Sequence, residues 1–175
     1  MVSKEIKQVF SLGNGSKEKH DFLLDIVAND LKCSGEYIWI VKNFFYPFSG
    51  REKSSGEVDI IALREDEVLE IYEIKSNVAS YHRGIGQLKK SYIWLRRNEE
   101  KVERRIDNLV KKGSETLVEK SEKKLRSHKK WFEKHDGYKG IEMILCYPVL
   151  ENGSVRIIYH EFDAYDDQDV TRKEI

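Results

Sequence analysis

Residues 56–76 read GEVDIIALREDEVLEIYEIKS and contain two short apolar runs, at 58–63 and 68–74, separated by four charged residues. Both runs are rich in β-branched side chains, which favour β-strands. The polar connection between them is long enough only for a hairpin turn, so the two strands should be antiparallel neighbours. The stretch therefore predicts a β-hairpin.

Asp59, Glu70 and Glu73 interrupt these apolar runs, and Lys75 directly follows the second. A three-residue loop at 65–67 would place Asp59 opposite Glu73, and Lys75 would share that sheet face because side chains alternate along a strand. A four-residue loop would instead place Tyr72 opposite Asp59. Under the first register, two carboxylates and one ammonium group converge.

This combination of side chains suits metal-dependent hydrolysis of a phosphodiester. Carboxylates are hard oxygen ligands for Mg²⁺, which is usually held by one or two protein carboxylates together with water and substrate phosphates. A nearby lysine can orient or deprotonate a water molecule, or neutralise charge on a phosphate. The structural alternative is an ordinary cross-strand ion pair on an exposed sheet face.

The spacing Asp59, then Glu73-Ile74-Lys75 fourteen residues later, resembles the PD-(D/E)xK nuclease superfamily. In pattern it is nearest to archaeal Holliday junction resolvase-like and RecB-like nucleases. The resemblance implies an α/β fold with a restriction-endonuclease-like core, in which a mixed central sheet is flanked by helices. It also implies that Asp59, Glu73 and the Ile74 carbonyl ligate Mg²⁺, with Mn²⁺ as a substitute, and that Lys75 acts on the attacking water.

The same resemblance assigns two more residues to the site. Glu18, in the first turn of a predicted helix, matches the acidic residue that often completes such sites as a catalytic group and metal ligand. His20 and Asp21 are close competitors for that role. Gln87 matches the glutamine that follows Glu-x-Lys in RecB-like and resolvase-like members, and is expected to take part in catalysis.

Charge is distributed unevenly along the chain. The 175 residues carry 31 Lys+Arg and 31 Asp+Glu, but residues 89–135 hold 16 of the basic and only 8 of the acidic residues. Such a segment attracts a polyanion to one face of a neutral protein, and DNA is the partner implied by the resemblance. A solvated surface of mixed Lys/Glu helices is the alternative.

The remaining pattern predicts one domain over residues 1–175. Helical spacing of apolar residues predicts a helix at 17–32 and a long basic helical insertion at about 87–135, with a break at 113–114. Strands are expected at 37–45, 141–149 and 155–162, a loop at 76–86, and a frayed tail after 162.

Two cysteines, Cys33 and Cys146, lack metal-ligand spacing, and no apolar run approaches the roughly 18 residues that span a bilayer. We therefore expect a soluble, cytoplasmic protein without a membrane partner. The predicted function is a Mg²⁺-dependent nuclease acting on DNA, which the resemblance further implies to be a homodimer, with Trp131-Phe132 or the long helices as interface. The alternative is a non-catalytic nucleic-acid-binding or assembly module with the same fold.

Overall fold

A computed structural model describes residues 17–47, 55–151, 154–162 and 169–174. In chain order its elements are α1 (Lys17–Ser34), β1 (Tyr37–Pro47), β2 (Ser55–Arg64), β3 (Val68–Ile74), a 3-10 turn (Val78–Ser80), α2 (Tyr81–Arg96), α3 (Glu99–Lys112), β4 (Leu117–Lys120), α4 (Glu122–His135), β5 (Gly140–Glu151), β6 (Ser154–Phe162) and β7 (Asp169–Glu174).

The strands form one mixed sheet in the order β4-β1-β2-β3-β5-β6-β7. Strands β3 and β5 run parallel, and the other neighbouring pairs are antiparallel. A parallel pair needs a long crossover connection, and here the chain from α2 to α4 provides it. The predicted α/β class with a mixed central sheet flanked by helices is confirmed.

Both faces of the sheet are covered, which explains why β3 is buried along its whole length. Helix α1 packs on one face through a stripe that includes Leu23, Val27 and Leu31. Helices α2, α3 and α4 cover the other face, where Leu95 and Ile106 are fully buried among apolar strand residues. None of the helices within the described residues is both long and apolar enough to cross a membrane.

The hairpin between β2 and β3 has the register of the three-residue loop. Position 63 pairs with 69 and 61 with 71, and the recorded ladder ends at Ile60–Tyr72. Asp59 and Glu73 are the next positions beyond that last pair. The turn closes with a hydrogen bond from the Glu67 amide to the Arg64 carbonyl at 3.2 Å, and Glu67 itself is left-handed with φ 69°. A glutamate thus occupies the position where such turns usually place glycine.

Three predictions about elements were wrong. The insertion at about 87–135 is not helical throughout, because Leu117–Lys120 forms β4 and pairs with β1 at the sheet edge. The expected loop at 76–86 is largely helix, since α2 begins at Tyr81. Within the tail after residue 162, expected to fray, Asp169–Glu174 pairs with β6 as β7. The predicted break at Gly113 is confirmed as the left-handed C-cap of α3.

Candidate active site at the open end of the hairpin

Asp59 is a buried carboxylate, 7% exposed, at the end of the β2–β3 ladder. Its Oδ2 accepts a hydrogen bond from the Ile74 amide at 2.7 Å, which ties β2 to the last residue of β3. The same oxygen lies 3.2 Å from Nε2 of His20 on α1. Asp59 therefore joins the hairpin to the first turn of α1.

Glu73 is buried still more deeply, with 3% of its surface exposed. Burial and, to a lesser degree, the negative charge of Asp59 raise the pKa of Glu73 to about 7, although Lys75 opposes the shift. Two carboxylates that disfavour each other's ionised form must share a small space of low polarity. A cation bound between them would relieve that cost.

Lys75 is held between two elements. Its Nζ donates to Glu73 Oε1 at 2.5 Å and to Gln87 Oε1 on α2 at 2.6 Å. Its backbone amide donates to the Cys146 carbonyl of β5 at 2.8 Å, which extends the parallel ladder by one residue. The structure therefore brings together Glu73, Lys75 and Gln87, three of the residues predicted from the sequence.

Gly84 explains how α2 comes close enough to present Gln87. A methyl group at residue 84 would lie 2.5 Å from Leu145 Cδ1 and 3.1 Å from Lys75 Cε. A larger residue at this position would therefore displace either the core of β5 or the stem of Lys75. The absence of a side chain at residue 84 lets the helix rest directly on the strands that carry the site.

Glu18 and His20 occupy different places on α1. Glu18 is exposed in the first turn of the helix, whereas His20 makes the contact with Asp59. The hydrogen bond with Asp59 raises the pKa of His20, against the opposing effect of burial. Of the competing early-helix residues, His20 is the one that the structure brings to the centre.

Two neighbours of the site were missed by sequence reasoning. Glu57, two residues before Asp59 on β2, has a pKa raised by burial and by the charge of Asp59, so it lies within the electrostatic reach of the centre. Its spacing on the strand could have suggested it. Tyr46 of β1 also approaches the site, with its ring packed against Gly56. Tyr46 carried no signal in the sequence, because its position depends on the pairing of β1 with β2.

Glu70, the other carboxylate within the second apolar run, serves a different purpose. Its oxygens accept hydrogen bonds from Tyr37 at 2.7 Å, Tyr72 at 2.5 Å and Arg64 at 2.9 Å. A buried carboxylate with this many donors is satisfied by the protein itself. Glu70 is thus a structural group, in contrast to Glu73, whose charged partner Lys75 is also bound to Gln87.

The donor set at the centre fits a hard cation that needs few protein ligands. Across the described ranges, no group of three or more His, Cys, Asp or Glu side chains is arranged to hold a metal ion. Asp59 and Glu73 are nevertheless two carboxylates, and Mg²⁺ commonly takes one or two of these and completes its octahedron with water and phosphate oxygens. The chemistry of these oxygen donors suits Mg²⁺ or Mn²⁺ better than a metal that prefers nitrogen and sulfur ligands.

The chain matches no protein-family model, no curated protein and no solved structure. A functional assignment for this molecule therefore depends on the chemistry of its side chains and on their placement in the fold.

Proposed function

We propose that this chain is a metal-dependent nuclease that hydrolyses DNA phosphodiester bonds by the PD-(D/E)xK mechanism, on a restriction-endonuclease-like core. The observation that carries the proposal is the grouping of Asp59, Glu73 and Lys75 at one end of the hairpin, beside the start of α1. An ordinary exposed ion pair would not explain why Asp59 and Glu73 are both buried residues, 7% and 3% exposed.

Asp59, Glu73 and the main-chain carbonyl of Ile74 would hold the metal ion. When bound, Mg²⁺ would polarise the scissile phosphate and lower the pKa of a coordinated water. Lys75 is oriented by Glu73 and Gln87, so its ammonium group can position the attacking water or offset charge that develops on the phosphate. Gln87 acts on the reaction through Lys75 by fixing the direction of its Nζ.

In this proposal the residue of α1 that completes the site is His20 and not Glu18. His20 touches Asp59 directly, and a protonated imidazole there would keep the carboxylate ionised until a metal ion replaces it. Glu57 is the carboxylate best placed by sequence to act as a further ligand, since it precedes Asp59 by two residues.

Basic helices provide the surface for DNA. Residues 89–135 lie on α2, α3, β4 and α4 and carry the excess of eight positive charges over the acidic residues. Contacts of Lys and Arg with phosphates would supply sequence-independent affinity that weakens with salt. Sequence specificity and the architecture of the DNA substrate would come from additional contacts.

A cleavage panel tests the proposal. Labelled linear, nicked and four-way-junction DNA would be incubated with the protein in Mg²⁺, Mn²⁺ and EDTA. We expect cleavage with either metal ion, none in EDTA, and losses of about 100-fold or more in Asp59→Asn and Glu73→Gln, because each removes a ligand charge. Asp25→Asn is the matched control, since Asp25 is a surface carboxylate of α1 paired with Lys42.

Cleavage in EDTA, or full activity of Asp59→Asn and Glu73→Gln, would overturn the proposed mechanism. One observation favours a second function, nucleic-acid binding without catalysis: Asp59 is already paired with His20, and Glu73 with Lys75. Tight, salt-sensitive DNA binding without cleavage of any substrate would therefore assign the chain as a non-catalytic nucleic-acid-binding module.

A further inference from the structure

A groove with an unusual lining opens between the end of β1 and the helices α2 and α3. It encloses about 360 Å³. Its walls combine two aromatic side chains, three basic side chains and one amide: Phe45, Trp94, Lys101, Arg104, Arg105 and Asn108. The mixture of aromatic rings and positive charges distinguishes it from the carboxylate-lined cavity on the α1 face of the sheet.

The aromatic side chains of the groove are presented to solvent by the fold. Strand β4 pairs with β1 at residues 39–41, and Phe45 lies beyond that pairing with 46% of its surface exposed. Trp94 is half-buried on α2 and stacks on Tyr46, with ring centroids 4.7 Å apart. An aromatic ring that lines a groove and is anchored by stacking on a neighbour is a platform for a planar group.

The basic side chains lie together on α3. The guanidinium of Arg105 sits 5.3 Å from the ring centre of buried Phe44, which fixes this charge against the wall of the groove. Arg104 is paired with Glu100 at 3.7 Å, but both side chains are more than 70% exposed, so the pairing is weak and a phosphate can compete for the arginine.

The positive charge continues beyond the groove. Lys101 and Arg104 also line an adjoining concavity of about 550 Å³. Its wall includes two further arginines at the end of α2 and three carboxylates: Arg96, Arg97, Glu99, Glu100 and Asp136. Five basic side chains thus line the two adjoining depressions, and they are available for contacts with the phosphates of a nucleic-acid backbone.

A short chain of contacts connects the groove to the candidate active site. Tyr46, on which Trp94 stacks, shares a 2.9 Å hydrogen bond with Ser91 of α2. Burial raises the pKa of the Tyr46 phenol, and the charge of Glu73 contributes to that shift, so the two side chains lie within electrostatic range. The ring of Tyr46 also covers Gly56, three residues before Asp59 on β2.

We propose that this groove binds a single-stranded segment of nucleic acid, with bases stacked on Phe45 and Trp94 and phosphates on Lys101, Arg104 and Arg105. The inference rests on the proposed function and names its substrate class. Exposed aromatic faces favour unpaired bases, because the bases of a duplex already stack on each other. A strand lying in the groove leads past Tyr46 to the pair of carboxylates.

The test is a binding measurement in EDTA, which needs no catalysis. Fluorescein-labelled oligothymidylate and a duplex of equal length would be titrated with the full chain and followed by fluorescence anisotropy. We expect tighter binding of the single strand and a loss of about tenfold in Phe45→Ala, the size of one lost stacking contact. Phe45→Leu keeps an apolar side chain on β1 and should show a similar loss, which separates stacking from folding.

Charge is tested with two matched pairs of variants, one inside the groove and one outside the basic segment 89–135. The double variant Lys101→Gln, Arg104→Gln should lower the salt slope of single-strand binding by about 1.4, or 0.7 for each phosphate contact. Lys32→Gln, Lys139→Gln removes two exposed charges outside residues 89–135 and should leave that slope unchanged. Ile93→Ala, an exposed apolar residue of α2 outside the groove, controls for Phe45→Ala.

Three results would overturn the inference: equal affinity for duplex and single strand, unchanged binding by Phe45→Ala and Phe45→Leu, or equal losses in the two lysine-containing pairs. If the variants show the expected losses in single-strand binding but no DNA is cleaved in Mg²⁺, the groove binds single strands and the proposed nuclease activity is wrong. If cleavage is lost in Asp59→Asn while Phe45→Ala binds single strands as tightly as the original chain, the nuclease proposal stands and the proposed role of the groove is wrong.

Discussion

His128 of α4 contacts the turn between β2 and β3, the two strands that carry the candidate active site. Its side chain is completely buried, and its Nδ1 is hydrogen-bonded to Oε2 of Glu67, the left-handed residue of the hairpin turn. Its Nε2 lies 3.1 Å from Glu103 Oε1, in ion-pair range although not aligned for a hydrogen bond. The turn thus depends on a histidine from α4 for the unusual conformation of its last residue.

The stability of the protein should depend on the charge of His128. Burial lowers the pKa of His128, but contacts with Glu103 and Glu67 outweigh it and raise the pKa above its usual value near 6.5. The protonated form is therefore favoured in the folded state. Its stabilising contribution is fully present below about pH 6.5 and is lost as pH rises through the raised pKa.

Urea unfolding of the metal-free protein at a series of pH values checks this expectation. The difference in the free energy of unfolding between the original chain and His128→Gln should shrink steadily as pH rises from about 6.5. A difference that stays constant over this range would contradict the assignment of a charged His128.

Gln87 is expected to influence the reaction without touching the substrate. Gln87→Leu removes the acceptor that lies 2.6 Å from Lys75 Nζ, so the ammonium is left with Glu73 alone. A misdirected lysine should lower kcat for DNA cleavage by about tenfold, the equivalent of one hydrogen bond of about 1.4 kcal/mol, while KM changes little. Steady-state kinetics measures kcat and KM separately. A change confined to KM would assign Gln87 to substrate binding instead.

At the scale of elements, the close approach of α2 to β3 and β5 makes the site. The helix carries Gln87 and also Trp94, so one element supplies both the partner of Lys75 and a wall of the aromatic groove. Glycine at position 84 permits this approach, whereas Gly86, two residues later, has no atom within 4 Å of the place where a side chain would begin. The two glycines differ in environment although they lie in the same helical turn.

Alanine substitutions at the two glycines should therefore have opposite effects. Gly86→Ala should raise the free energy of unfolding by about 0.5–1 kcal/mol, because alanine favours helix and meets no obstacle. Gly84→Ala should lower it by about 1–3 kcal/mol, since its methyl group must displace the fully buried Leu145, and it should also reduce DNA cleavage. Denaturant unfolding tests both variants, and equal stability changes would show that α2 does not rest on β5 as described.

At the scale of the whole molecule, charge is sorted between the two faces of the sheet. The cavity of about 550 Å³ on the α1 face is lined by seven carboxylates and one arginine: Asp30, Glu36, Arg64, Glu65, Asp66, Glu70, Glu142 and Glu161. The basic groove lies on the side of α2 and α3. A polyanion is repelled from one face and attracted to the other, so a protein without net charge can still orient itself on a polyanion before any specific contact forms.

A homodimer stays a prediction, and the fold narrows the residues that can form its interface. Phe132 packs against Tyr138 with ring centroids 5.2 Å apart and thus belongs to the protein's own core. Trp131 stacks on His135 at the surface of α4. We expect light scattering on an eluting sample to give twice the chain mass, and Trp131→Ala to shift it towards the monomer. A monomer at all concentrations would contradict the prediction.

Local signals predicted the hairpin well because its cues are close in sequence. The alternation of apolar and charged residues and the short polar connection indicated the strands, and the observed pairing of 61 with 71 follows the three-residue loop. The same cues failed for Leu117–Lys120, where LVEK was included in a predicted helix. Four residues are too few for periodicity to distinguish a strand from a helix. Pairing with the otherwise open edge of β1 makes this segment a strand.

The sequence by itself determined the α/β class, the hairpin and the convergence of Glu73 with Lys75, because these depend on neighbours within about twenty residues. Only the tertiary structure decided that His20, and not Glu18, meets Asp59, and that Phe45 and Trp94 share a groove with the cations of α3. Those contacts join residues from different elements, and the packing of helices against both faces of the sheet brings them together. Periodicity along a chain carries no information about such distances.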